Sequence, residues 1–317
     1  MARAMGANSL LRIKQESTYG TAPSGNWHTV PFESYGLSMT QELIDGPVLG
    51  QGRNPQEMVL GAVNVEGSVV VPVDVHNIGF WLNGLMGAAT VTGDGTPHVH
   101  TFTSGAAALP SYSIEVANTD ITEYRLASGV MVESMQFNFT RTGPARCTVS
   151  LIGKSEDMAG TSAAGTPTSL ALTRYSGFHA TAKVGGVAFS DCESVDITLV
   201  NNLEKVETLT GDGEIAGLDP AQVGVNGTVT LRFSDSTYYD IARAGTPLEL
   251  EFAFTINAET SVKITVWQAR LEIPRTEIGG PGGIKASFTF KGERDSSTGI
   301  AYTVVLQNTT AAATYTG

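Results

Sequence analysis

The feature that most restricts how this 317-residue chain can fold is an alternation written twice. Val63, Val65, Gly67, Val69, Val71 and Val73 take every second position. Val223, Val225, Gly227, Val229, Leu231 and Phe233 repeat them at a constant offset of 160, from 63 to 223. Successive side chains of a strand point to opposite faces, so apolar residues at a period of two predict a strand with one buried face. A pattern repeated at a fixed distance predicts a repeated supersecondary unit. The match continues into two short stretches, 74–86 and 234–244, where Ile78, Trp81 and Leu82 answer Tyr238, Ile241 and Ala242 at helical spacing. Asp74 can cap the first of these helices.

Further on the offset becomes 150, as from 112 to 262. Gly95-Thr96-Pro97 answers Gly245-Thr246-Pro247, and Tyr112, Ile114 and Val116 answer Val262, Ile264 and Val266. Phe137 and Phe139 answer Phe288 and Phe290, and Cys147, Val149 and Leu151 answer Tyr302, Val304 and Leu306. Upstream, Phe32, Leu37 and Met39 answer Phe189, Val195 and Ile197. The common order of these matches predicts an all-β fold with one short helix per domain. The domains are expected at 1–155 and 174–317, joined by a small-residue linker at 156–173. Each has a long loop before its alternating strand, at 44–60 and 204–221, and loops of that length are usually functional.

Charged residues are only 16% of the chain, and 31 acids against 19 bases leave a net charge of −12. That balance disfavours non-specific wrapping of nucleic acid, which needs cations against phosphate. The first fifteen residues lack an uninterrupted apolar core, and no window approaches the ~18 apolar residues of a membrane span. A soluble protein made in the cytoplasm, without membrane contact, is the expectation. Cys147 and Cys192 lack metal-ligand spacing and are expected as free thiols.

Chemistry is sparse. His98 and His100 share one strand face but have no third ligand nearby, so they are expected as exposed strand residues rather than a metal site. Asp212, Glu214 and Asp219 lack the spacing of a calcium loop. Gly279-Gly280-Pro281-Gly282-Gly283 precedes a strand, not a helix, and reads as a turn. No nucleophile elbow is present. The alternating Phe137/Phe139 and Phe288/Phe290 pairs read as packing between sheets. No catalytic residue, cofactor or metal is expected, and the chain does not read as an enzyme.

The opening ANSLLRIKQESTYGT, the stretch LGAVNVEGSVVVPVDVHNIGFWLNGLMGA and the repeated unit together resemble the major tail protein, or tail tube protein, of long-tailed and non-contractile (siphovirus-like) bacteriophages. The resemblance implies two tandem tail-tube-type β-sandwich domains contributing strands to an inner β-barrel, in rings that stack into the conduit for DNA ejection. It places the protein in the virion. Its partners would be further copies of itself, a tape measure protein, and tail terminator or distal tail proteins at the ends, with genomic DNA passing through without specific binding. Contacts between rings would come from Ile44, Asp45, Val48, Leu49, Arg53 and Glu57 in the first loop and Glu204, Glu207, Asp212, Glu214 and Asp219 in the second. The terminal segments 1–9 and 308–317 would add to them. Since related single-domain chains form rings of six, two units per chain imply a homotrimer with pseudo-sixfold symmetry. The competing arrangement has six chains, each with its second copy outside. A two-domain β-sandwich adhesin or receptor-binding protein is the alternative, with Trp27 and Tyr35 as anchors.

Overall fold

The computed structural model describes residues 3–93, 97–275 and 282–316; Gly95, Thr96, Gly279, Gly280 and Pro281 lie outside the described residues, as do Met1, Ala2 and Gly317. The fold is all-β, with three short α-helices among the described residues. Its principal elements in the first half are β1 (Ser9–Gln15), β2 (His28–Val30), β3 (Ser38–Asp45), β4 (Met58–Pro72), α1 (Ile78–Met86), β5 (His98–Thr103), β6 (Tyr112–Asn118), β7 (Glu123–Thr140), β8 (Arg146–Gly153) and β9 (Ser155–Ala159). The second half supplies β10 (Ala180–Val184), β11 (Val187–Ala188), β12 (Cys192–Val200), β13 (Leu203–Val206), β14 (Gly217–Pro220), β15 (Gly224–Arg232), α2 (Thr237–Ala244), β16 (Leu248–Asn257), β17 (Thr260–Leu271), β18 (Lys285–Glu293), β19 (Tyr302–Asn308) and α3 (Ala313–Thr316).

Antiparallel pairing in the first half runs β3, β4, β8, β7, β6, β1, β2, with β9 also on β7. In the second it runs β12, β15, β18, β17, β16, β10, β11, with β19 also on β17. The two orders agree position for position. They shift the correspondence expected beyond the helices by one strand: β6 stands with β16, β7 with β17, β8 with β18 and β9 with β19. Two details fix this. The register breaks between Tyr112 and Ile114 on one side and between Leu248 and Leu250 on the other. A Cβ on Gly153 would lie 3.0 Å from Val65, and one on Gly292 would lie 2.3 Å from Val225, the residue matched to Val65. Tyr112, Ile114 and Val116 therefore correspond to Leu248, Leu250 and Phe252. Leu37 and Met39 likewise correspond to Ile197 and Leu199, two residues later than expected. Every half-buried strand of a sheet carries the same alternation, so apolar spacing alone cannot tell a strand from its neighbour.

The long β7 joins the halves. Its first part pairs with β6 and β9, while Met131 to Phe137 pair with β8 on one edge and Ser134 to Thr140 with β12 on the other. One sheet thus runs β3, β4, β8, β7, β12, β15, β18, β17. A single hydrophobic core spans both halves, from Leu11, Trp81 and Phe137 to Ile197, Phe252 and Phe290. The expected linker 156–173 is largely built into the first half. Its start belongs to β9, and Ala164 is buried, accepting the Trp27 N–H and facing the segment that returns Thr168 N–H to Trp27 O.

The helices are shorter than the expected stretches. All nine residues of α1 are buried, because the chain end covers the face left open by the sheet. Asp74 accepts hydrogen bonds from the backbone N–H groups of Asn77 (3.0 Å) and Ile78 (3.1 Å), satisfying donors at the helix start. Helix α2 buries only Ala242.

Candidate assembly surface

Strands β3 and β4 leave the core as a hairpin arm whose ladder continues through Leu43 opposite Leu60, Ile44 opposite Val59 and Asp45 opposite Met58. The alternation that buries Val63 and Val65 stops there, and Met58, Val59 and Leu60 are consecutive apolar residues with no core beneath them. Leu43 is 65% exposed, Leu60 66% and Leu49 at the tip 97%. Ile44, Asp45, Val48, Arg53 and Glu57 are exposed too. Contiguous apolar surface of this kind marks a protein contact site.

The second loop is also a hairpin arm, made by β13 and β14, but it folds back. Ile215 and Leu218 are buried against Met131, with Tyr19, Leu109, Ile152 and Leu203 packed around them. Gly213 O accepts the Val63 N–H at 2.9 Å, Glu214 lies 3.6 Å from Lys154, and Lys205 pairs with Glu66 and donates to Asn64 Oδ1 at 2.9 Å. Asp212 accepts from the Thr210 hydroxyl and the Glu214 N–H, bonds that hold its carboxyl below the usual range. The structure therefore engages Glu214 within the chain. Glu204, Glu207, Asp212 and Asp219 remain exposed on the docked arm.

The chain end differs from the expected reaching tail. Tyr315 on α3 is buried, its hydroxyl donating to His76 O (2.8 Å) and accepting from Asn308 Nδ2 (2.9 Å), with its ring edge-on to Phe80. Gly79 leaves the space this ring occupies: a Cβ there would lie 2.3 Å from it. His100, expected at the surface, is buried and bonded through Nε2 to Thr310 O at 2.9 Å. Among the described residues no group of His, Cys, Asp or Glu could hold a metal ion. Trp27, an anchor in the adhesin reading, is fully buried with its Nε1 donating to Pro23 O. The Phe137/Phe139 and Phe288/Phe290 pairs lie in the core, and both cysteines are free thiols.

Sequence reasoning passed over the other face of the continuous sheet. Opposite the buried apolar rows, Thr148, Gln136 and Thr198 form one cross-strand row, and Asn138, Asp196, Thr228 and Thr289 form the next. These side chains are exposed or half-buried hydroxyls and amides, with Asp196 the one charge among them. The signal was present as the polar half of the same alternation. No curated protein matches the chain. A sequence profile of the phage tail tube protein family matches residues 6–292, nearly the full length, and the chain therefore belongs to that family, whose place is the tail of the virion.

Proposed function

We propose that this structural protein is the repeating subunit of a tail tube whose rings stack into a conduit for DNA, with the hydroxyl and amide face of the continuous sheet lining the lumen. That face carries the reading. A sheet edge is a template for further strands, and closing the edges of β3 and β17 through neighbouring copies would make a barrel with the polar rows inside. Across its centre the face carries neutral hydrogen-bonding groups and one acid, and the bases at its β18 and β17 end, Lys291 and Arg270, are paired with Glu272 and Glu293, so DNA meets no run of unpaired cations along these rows. Tape measure protein inside the tube and terminator or distal tail proteins at its ends complete the assembly, in a tail of the non-contractile kind.

The exposed arm 44–60 reaches a second copy. Covering a large aliphatic side chain contributes about 1.5–3 kcal/mol, and Leu43, Leu49 and Leu60 each offer one, against the several kcal/mol lost on association. Deleting residues 46–56 is expected to leave a folded monomer, since the arm touches no core, but to prevent tubes. Electron microscopy of purified protein at rising concentration reads the outcome. Discrete particles from the unmodified chain at every concentration would refute the tube reading, and tubes of ordinary length from the deletion variant would remove the arm from it.

A further inference from the structure

The two arms are counterparts. The ladder of Leu203 opposite Pro220, Glu204 opposite Asp219 and Lys205 opposite Leu218 stands 160 residues after Leu43 opposite Leu60, Ile44 opposite Val59 and Asp45 opposite Met58 (43 to 203, 60 to 220). One arm is docked and the other is not. The docked arm lies over a row of direct strand partners, Glu66, Ile152 and Met131, on β4, β8 and β7. The corresponding strands β15, β18 and β17 carry Asn226, Lys291 and Arg270 in the same register. This second row is open: the Lys291 side chain is 73% exposed and that of Arg270 49%.

The charges differ in a matched way. At the docked interface the arm carries the base, Lys205, and the row carries the acid, Glu66. On the free arm the same position holds Asp45, and Glu57 stands nearby where the docked arm has Gly217. The open row holds the bases. We infer that the free arm docks on the Asn226, Lys291 and Arg270 row of a second copy of this chain, with Asp45 beside Lys291.

The inference rests on the tube reading and specifies its lateral contact. The docked arm joins halves that sit side by side and share the paired edges of β7 and β12, so the same arrangement carried one half further joins chains within a ring. That differs from the expected contact between rings. Lys291 and Arg270 already face Glu272 (3.2 Å) and Glu293 (2.8 Å), but exposed pairs of this kind contribute little and can rearrange. The row sets register and partner choice, while Met58, Leu43 and their neighbours supply the apolar contact.

A chain carrying both Asp45→Cys and Asn226→Cys tests the contact with a short bis-maleimide cross-linker applied to assembled protein. The native thiols interfere little: Cys147 is buried, and burial pushes the Cys192 thiol up to about 11. Covalent oligomers from the double variant and none from either single variant are expected. In parallel, Lys291→Glu should raise the concentration needed for assembly at least about tenfold, and adding Asp45→Lys should recover much of the loss. Assembled double variant without cross-links, cross-links confined to one chain, or Lys291→Glu assembling at an unchanged concentration would each overturn the docking and leave the tube reading standing. Failure of the unmodified protein to assemble would instead remove the tube reading, and the docking with it.

Discussion

Gly67 and Gly227 occupy matched positions in the two alternating strands, and the structure gives that match a steric cause. A Cβ on Gly67 would lie 2.1 Å from Gly36 O, in the segment leading into β3, and one on Gly227 would lie 2.2 Å from Asp196 O on the neighbouring strand β12, both of them backbone atoms. Neither glycine has a positive φ, so space rather than conformation excludes a side chain. Alanine at either position is expected to destabilise the protein by roughly 1–3 kcal/mol, the range for overpacking a dense interior. Denaturant unfolding of the two single variants checks it, and a neutral result at either site would show that the strands can part. At this scale the sequence was legible where burial sets the residue: Val65, Val69 and Val71 are buried as their alternation predicts, and so are Val225, Val229 and Leu231. It was illegible where the constraint came from a distant partner, as at Gly79, whose missing side chain makes room for Tyr315.

Between elements, the chain end is the part least apparent in the sequence. Residues 308–316 contain little apolar material, yet Asn308, Thr310 and Tyr315 are buried through hydrogen bonds to His76, His100 and Val75 that no spacing rule reveals. His100 makes this packing sensitive to pH. Burial lowers its pKa below the ordinary 6.5, with the neighbouring His98 adding to the effect, while bonds to Thr310 and Asn308 oppose it. His28 is lowered as well, first by burial and then by Lys14. In the unfolded chain these rings take up protons near pH 6.5 while the folded protein still excludes them. Their contribution is therefore fully present above about 6.5 and is lost as pH falls through that value toward the folded pKa. The melting temperature should drop between pH 7 and pH 5. His100→Gln, which keeps a donor for Thr310 O, should shrink that drop while His28 preserves part of it. An unchanged slope in the variant would show that the ring does not couple to the titration.

For the whole molecule, the number of chains per ring depends on whether both halves reach the lumen. Sequence matching indicated two units but paired their later strands one place out of step, so it could support a repeat without showing how the halves join. The joining now bears directly on symmetry. Pairing of β7 with β12 continues one sheet from the first half into the second, with four strands from each. An outer decoration would have no reason to share a sheet, a core and a polar face with a half proposed to line the channel. Both arms carry the same ladder register, and the docked one shows how one half can grip the next. Closed rings need heterologous contacts, and two kinds would alternate here: the one seen within the chain, and its copy between chains, where the arm carries the acid Asp45 in the place of Lys205 and the base Lys291 stands one strand over from Asn226, the counterpart of Glu66. If rings of the family hold six such units, three chains close one. The expected result is a ring mass of three chains by native mass spectrometry, with threefold modulation on a sixfold outline in averaged end-on images. The modulation should be strongest at the arms and at β5, which pairs with β19 and has no counterpart in the second half among the described residues. A mass of six chains, with the second half outside the channel, would exclude the trimer and would leave the polar rows of β15 and β18 without a lumen to line.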